Sequence, residues 1–341
     1  MRLLLVSRTI GPAKNLARVA QAALDRNHEV AAVLSKDAAA MVPVSSLFDF
    51  APQMVLASTS GSNIEDELKV IRVARDSRIP FGIFCDTYGT FMRPQFTPDF
   101  REACAVLFVP DKVEWDYAKE AGFKNAIVSG VPLWEDFSGI KENTPLRRAH
   151  FVYPENFPSI FVLHPLDKNG ELNIQTLREV WRALELVKTQ TSTRFFYMPR
   201  FHPGDPNLKA NPDYYKEVLG ECPVTMIFTE YEKKTEYLVP ACDIVLSSFS
   251  NLGIAGIYNR KPVVEYLPPY LEDRLESLIG RRVWPPAVCG AALLARDAIQ
   301  LAQNLFACSS GNPCLLAQER HYPIQKSGVA ERIVTALEAL M

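Results

Sequence analysis

What most constrains this chain is a repeated change of hydrophobic period. Short apolar runs alternate with stretches patterned at helical spacing, and they do so in two series. In the first, Leu3–Val6, Val30–Leu34, Met54–Ala57, Phe81–Phe84, Val106–Val109 and Ala126–Val128 read as strands. Between them Leu16, Val19, Ala20, Ala23 and Leu24 share a helical face, residues 63–76 are amphipathic, and a further helix is expected to end near Gly122. Continuous apolar runs suit strands covered on both faces, and helical stretches between them read as the crossovers of a parallel sheet. Residues 131–158, with Pro132, Pro145, Pro154 and Pro158, break the rhythm and read as a connection between domains. The second series has Ile160–Leu163, Arg194–Met198, Val224–Phe228, Ile244–Leu246 and Val263–Val264, with Leu177, Val180, Trp181, Leu184 and Val187 on one helical face. Val329, Ile333, Leu337 and Leu340 then mark a last helix. The expectation is an α/β chain of two Rossmann-like domains, 1–153 and 154–325, with a helix over 326–341 packing back on the first. At 341 residues a division into two cores is also what size dictates.

Composition removes several function classes. A formal charge of −2 supplies no global attraction to nucleic acid or to an anionic membrane, so any anion site must be local. No apolar window is long enough to span a bilayer, and the apolar start of MRLLLVSRTIGP is cut short by Ser7-Arg8-Thr9, which reads as a first buried strand. The seven cysteines lack CxxC or Cys/His ligand spacing and read as reduced, structural residues of a cytoplasmic protein, with no metal site. There is no Walker loop, no GxGxxG after the first strand, no HExxH and no GxSxG.

Two segments carry candidate chemistry. Cys242-Asp243-Ile244-Val245-Leu246-Ser247-Ser248-Phe249-Ser250-Asn251-Leu252-Gly253 reads as a buried strand, a serine-rich turn and the start of a helix closed by Asn259. Hydroxyls and free N–H groups at a helix N-terminus bind phosphate, although one serine alone suffices as a cap. Arg200-Phe201-His202-Pro203-Gly204-Asp205 follows a strand, where Arg200 and His202 either hold a diphosphate and donate a proton to it, or belong to a plain surface turn.

RFHPGD followed by CDIVLSSFSNLGIAGIYNRKPVVEY resembles the donor-binding half of GT-B glycosyltransferase-like proteins. The resemblance is to CDP-glycerol glycerophosphotransferases, to bacterial sialyltransferases of that fold and to the UDP-N-acetylglucosamine 2-epimerase group. HYPIQKSGVAERIVTALEAL resembles their final helices, and MRLLLVSRTIGPAKNLARVAQAAL their first glycine-containing loop. The resemblance implies two parallel sheets facing across a cleft and a metal-independent transferase. Its donor would be a nucleotide-activated sugar or polyol phosphate of UDP or CDP/CMP type, bound as co-substrate with no further cofactor, in surface-polysaccharide assembly. Epimerase or hydrolase chemistry and a catalytically silent binding protein are the alternatives. His202 becomes a donor-phosphate contact or acid, Ser247, Ser248, Ser250 and Asn251 the phosphate turn, and Gly11 a point of close backbone approach. The base is then expected from the N-terminal domain, where Asp86 follows a strand in a loop whose Tyr88 and Phe91 form an acceptor platform; an Asx turn is the plainer role for it. Glu65 and Glu67 are weaker candidates. Arg93 and Arg101 are candidate contacts to an anionic glycan or lipid-linked acceptor, and Arg281-Arg282 before Val283-Trp284 a candidate contact to the inner membrane face; a solvated surface position is the plainer role for each. This chain departs from its relatives at Ala255-Gly256, where many carry a ribose-binding glutamate, leaving Glu265 as a substitute. It departs again at His164 to Gly170, where His164 and Lys168 stand as phosphate cations or as residues of a solvated turn.

Overall fold

The computed structural model describes residues 1–33, 47–59, 64–138, 159–167, 169–202, 205–211, 213–227, 235–323 and 327–341. The chain divides into two compact units. Unit 1 comprises Met1–Asp136, Leu275–Arg281 and Gln325–Met341, and unit 2 comprises Phe137–Arg274 and Arg282–Ile324. The connection 139–158, Ser60 to Asn63, Leu34, Lys168, Pro203, Gly204 and Phe228, each of which carries part of the sequence pattern, lie outside the described residues.

In unit 1 the strands are β1 (Arg2–Val6), β2 (Glu29–Val33), β3 (Met54–Thr59), β4 (Phe81–Cys85), β5 (Val106–Val109) and β6 (Ala126–Val128). They form one parallel sheet in the order β2-β1-β3-β4-β5-β6. Helices α1 (Ile10–Asp25), α2 (Glu65–Asp76) and α3 (Lys112–Glu120) are its longer crossovers. β3 and β4 are buried along their whole length, as strands covered on both faces must be.

Unit 2 repeats the plan with β7 (Ser159–Pro165), β8 (Arg194–Arg200), β9 (Thr225–Met226), β10 (Ile244–Ser247), β11 (Val263–Tyr266) and β12 (Leu293–Ala295). Its order is β12-β11-β10-β7-β8-β9, again all parallel. The longer helices are α4 (Gly170–Gln190), α5 (Asn251–Tyr258), α6 (Pro269–Ile279) and α7 (Ala298–Ser309). Asn169 caps α4, accepting from Glu171 N, and the face carrying Leu177, Val180, Trp181, Leu184 and Val187 is buried as the spacing predicts. β9 is two residues long where a longer strand was expected.

The last helix, α8 (Val329–Glu338), belongs to unit 1 and packs on α1 through a face with Val329, Ile333, Val334 and Leu337 buried. Its Glu338 accepts from Arg26 at 2.8 Å and pairs with His28 at 2.7 Å. Residues Leu275–Arg281, the last turn of α6 together with Gly280 and Arg281, also belong to unit 1. There Arg281 pairs with Glu114 at 3.2 Å and lies 3.3 Å over the Tyr117 ring. The Arg281 side chain is thus only 11% exposed and Trp284 is buried, while Arg282 is exposed and pairs with Asp273 at 2.7 Å. No described helix is long and apolar enough to cross a membrane.

Candidate functional site

Each sheet reverses its direction of growth once, between β1 and β3 in unit 1 and between β10 and β7 in unit 2. At such a point successive crossovers leave on opposite faces and open a crevice beyond the strand ends, where open α/β sheets bind ligands. Gly11 stands at the first, and Ser247, Ser248, Ser250, Asn251 and His164 stand at the second.

In unit 2, β10 delivers Ser247 to the switch point with its side chain fully buried. The following turn is tightly organised. Phe249 adopts a left-handed backbone (φ 46°), a strained conformation for a residue with a Cβ. Its N–H donates to Glu265 Oε2 on β11 at 3.0 Å. Ser248 Oγ donates to the Tyr266 carbonyl at 2.9 Å, Ser247 Oγ accepts from Ser250 N at 3.2 Å, and Ser250 Oγ caps α5 by accepting from Leu252 N at 3.2 Å. All three serines thus shape the turn, and Asn251 opens the helix on its exposed side. α5 has no acidic residue in its first turn and is buried from Leu252 to Tyr258, so the positive end of its dipole is neither neutralised by its own sequence nor well screened. Gly253 is needed there, because a Cβ would stand 2.8 Å from both Ser247 Oγ and Glu265 Oε1.

Glu265 does not reach outward toward a ribose. It is fully buried beneath the turn, and burial pushes its carboxyl up to about 7. His164, at the end of β7, is likewise buried, with Nδ1 2.6 Å from Tyr197 Oη. Burial lowers it to about 3, so it is neutral and offers no positive charge to a phosphate. Arg200 ends β8 and His202 follows it, exposed. β8 pairs with β7 on the side away from β10, which separates these two residues from the serine turn by two strand spacings, roughly 10 Å. Asp205, in the same segment, is structural: it accepts from Tyr215 Oη at 2.6 Å and Asn173 Nδ2 at 3.1 Å.

Unit 1 brings Gly11 and Asp86 together. Asp86 follows β4, is 7% exposed, and has Oδ2 3.4 Å from where a Cβ on Gly11 would stand. Oδ1 has no hydrogen-bond partner, and burial raises the carboxyl from 3.8 to about 7. Two further buried oxygens without partners belong to neighbouring strand ends: Thr9 Oγ1 at the start of α1, after β1, and Ser58 Oγ in β3. Ser58 pairs in register with Phe84, two residues before Asp86. Glu67, in the first turn of α2, is buried; Oε1 accepts from Arg8 N at 2.7 Å, Oε2 has no partner, and burial raises its pKa. Glu65 carries no such burial. Native interiors rarely leave buried polar atoms unpaired, and here they stand at or near the ends of β1, β3 and β4.

The loop after Asp86 is not an aromatic platform. Tyr88 and Phe91 are fully buried, because Tyr88 Oη donates to Asp111 at 2.7 Å and packs on Trp134, and Phe91 packs edge-on against Phe123. Asp111 caps α3 through Glu114 N at 2.9 Å, and Glu114 in turn accepts from Gly89 N at 2.6 Å. Gly89 has a positive φ of 67° and lies against Ile279, so no side chain fits there. Arg101 donates to the Ala121 carbonyl at 2.7 Å, while Arg93 is half-buried within the field of Glu67. The roles of Thr9, Ser58 and Glu114 were missed in the sequence. Glu114 had a signal, the capping-box spacing Asp111-x-x-Glu114, but its side chain goes to Gly89 rather than back to Asp111.

No protein-family model matches the chain, and no curated protein matches it by sequence. Solved structures do match over nearly its whole length. The UDP-GlcNAc 2-epimerase of Methanocaldococcus jannaschii, in complex with UDP-GlcNAc and UDP, superposes with a TM-score of 0.69 at 10% identity, covering 99% of this chain and 100% of that one. The Neisseria meningitidis UDP-GlcNAc 2-epimerase bound to UDP-GlcNAc gives 0.65 at 14% identity, over 99% and 100%. The spinosyn rhamnosyltransferase SpnG gives 0.53 at 11%, over 100% and 99%. The chain has the GT-B fold that these enzymes share.

Proposed function

We propose that the chain is a metal-independent transferase that moves a sugar, or a polyol phosphate, from a nucleotide donor to an acceptor hydroxyl in surface-glycan assembly. The observation that carries this reading is Asp86: a buried carboxylate with one unpartnered oxygen, beside Gly11, at the C-terminal end of β4. Raised to about 7, it exchanges a proton near neutral pH, which a general base for an acceptor hydroxyl requires. The base takes the hydroxyl proton, the oxygen forms the new bond to the transferred carbon or phosphorus, and the bond to the donor phosphate breaks. The leaving phosphate's charge falls to the N-terminus of α5 and its serine turn, with Arg200 and His202 at the end of β8, two strand spacings away. These donors are preorganised by the protein, so the reaction needs no divalent ion in this scheme. A lipid-linked or free glycan supplies the acceptor, at the cytoplasmic face.

A second reading is a nucleotide-sugar 2-epimerase. It is favoured by the higher TM-scores of the two epimerases and by Glu67 as a second buried acid in unit 1. One experiment separates the readings. The protein is incubated in deuterated buffer with UDP- and CDP-activated sugars, with and without glycan acceptors and with EDTA present. Acceptor-dependent release of nucleotide, lost in Asp86→Asn, supports transfer. Deuterium entering the sugar ring without acceptor supports epimerisation. Tight binding of one nucleotide with neither reaction identifies a silent binding protein, and no binding by any nucleotide removes all three.

A further inference from the structure

Glu265 takes no part in the transfer chemistry proposed for Asp86, yet its carboxylate is placed against the proposed phosphate turn. It stands on β11 opposite Ser247 of β10 and Leu294 of β12. Its Oε2 accepts from Phe249 N, while Oε1 has no hydrogen-bond partner and is directed at the first turn of α5, 2.8 Å from the point a Cβ on Gly253 would occupy. The groups that face it are the Ser247 hydroxyl from β10, the Phe249 amide from the turn, Gly253 from α5, which carries no charged residue, and Leu294 from β12. Among the described residues, none of these is a cation. An ionised Glu265 is supported by the Phe249 amide and the Ser247 hydroxyl but by no cation, and it sets its negative charge beside the ligand's own. Once protonated, the acid carries no charge to oppose the ligand's, and its O–H can donate in turn to Ser247 Oγ, which accepts from Ser250 N.

We infer that Glu265 is a positioning residue that takes up a proton when a nucleotide diphosphate enters the serine turn, so that donor affinity depends on pH. The inference rests on the donor-site reading of that turn. Burial has already moved the acid from 4.5 to about 7, which puts the exchange within reach near neutrality. A bound anion favours the neutral acid and raises its midpoint further. Between the free and bound midpoints binding takes up a proton, so affinity falls as pH rises.

The test is calorimetric titration with UDP-glucose and CDP-glucose, whose diphosphate esters keep constant charge across the range, on the wild type and Glu265→Gln. The wild-type Kd should rise by up to about tenfold per pH unit above about pH 7, and heats in two buffers of different ionisation enthalpy should report uptake of about one proton. Glu265→Gln, permanently neutral, should bind with a flat profile. Binding with a flat wild-type profile, or a slope retained in the variant, overturns the inference and leaves the donor site standing. No binding of either donor overturns both. If the variant does not fold, the Glu265 carboxyl is titrated by carbon-detected NMR in the wild type with and without donor. An upward shift of its midpoint on binding supports the inference, and an unmoved midpoint overturns it.

Discussion

Replacing Asp86 by asparagine should make the protein more stable and less active, and the stability gain should depend on pH in a defined way. The substitution keeps the side chain's shape and removes its charge. In the folded wild type the carboxyl titrates at about 7 against 3.8 in the unfolded chain. Each pKa unit corresponds to about 1.4 kcal/mol between protonation states, so holding the ionised group in the fold costs about 4 kcal/mol. The sign follows from proton counting. Between the two values the folded state retains a proton that the unfolded chain has released, so wild-type stability falls as pH climbs through that window and levels off above about pH 7. Asparagine has no proton to lose. The variant's stability relative to the wild type should thus be near zero at about pH 4 and grow to about 4 kcal/mol by about pH 8. Glu114 and Glu265 also titrate at about 7, but they are present in both proteins and cancel in the difference. The assay is guanidinium unfolding of both proteins across this range. A difference that does not change with pH, or a variant less stable than the wild type at about pH 8, refutes the reasoning that Asp86 is an uncompensated buried acid. Turnover should fall by about two to four orders of magnitude, the usual worth of a general base.

Two other substitutions probe the supports of the site. Gly253→Ala drives a methyl into Ser247 and Glu265 and should cost about 1–3 kcal/mol, read as a lower unfolding midpoint together with weaker nucleotide binding. Arg281→Ala leaves Glu114 buried without its cation, a loss of about 3–5 kcal/mol while the glutamate is ionised. Because burial holds Glu114 at about 7, that loss should shrink at mildly acidic pH, where the acid is protonated; thermal unfolding at two pH values checks it.

Local periodicity carried the fold well. Strands buried on both faces have to be apolar throughout, and helices covering them have to be amphipathic, so β1 to β8, α1 and α4 are written in residues a few positions apart. The placement of Ser247 and Asp86 at strand ends followed from the same logic. What local pattern does not encode is which polar groups meet. Tyr88 looks like a surface aromatic until Asp111, from the next crossover, takes its hydroxyl. Arg281 looks like a surface cation until Glu114, 167 positions away, pairs with it. Glu265 lies within an apolar strand, where a charged residue ordinarily argues for an exposed edge. Only the register of β11 against β10 shows that it faces the serine turn. Neutral His164 was misread for the same reason, since a histidine's charge is set by burial, and burial is a property of the whole unit.

The pairing of α8 with α1 has a consequence for the order in which the molecule can be assembled. Glu338 bonds to Arg26 and His28 across sequence separations of 312 and 310. Closing so long a loop costs little extra free energy, because the entropic term grows only with the logarithm of length, but contacts of that range form late. Most of unit 2 lies within one stretch of chain between the two halves of that pair, and it can consolidate on shorter-range contacts while α1 still lacks its backing. The helix whose first turn meets Asp86 is thus the one completed by the most distant partner. Unit 1, which carries Asp86, should mature last, after unit 2.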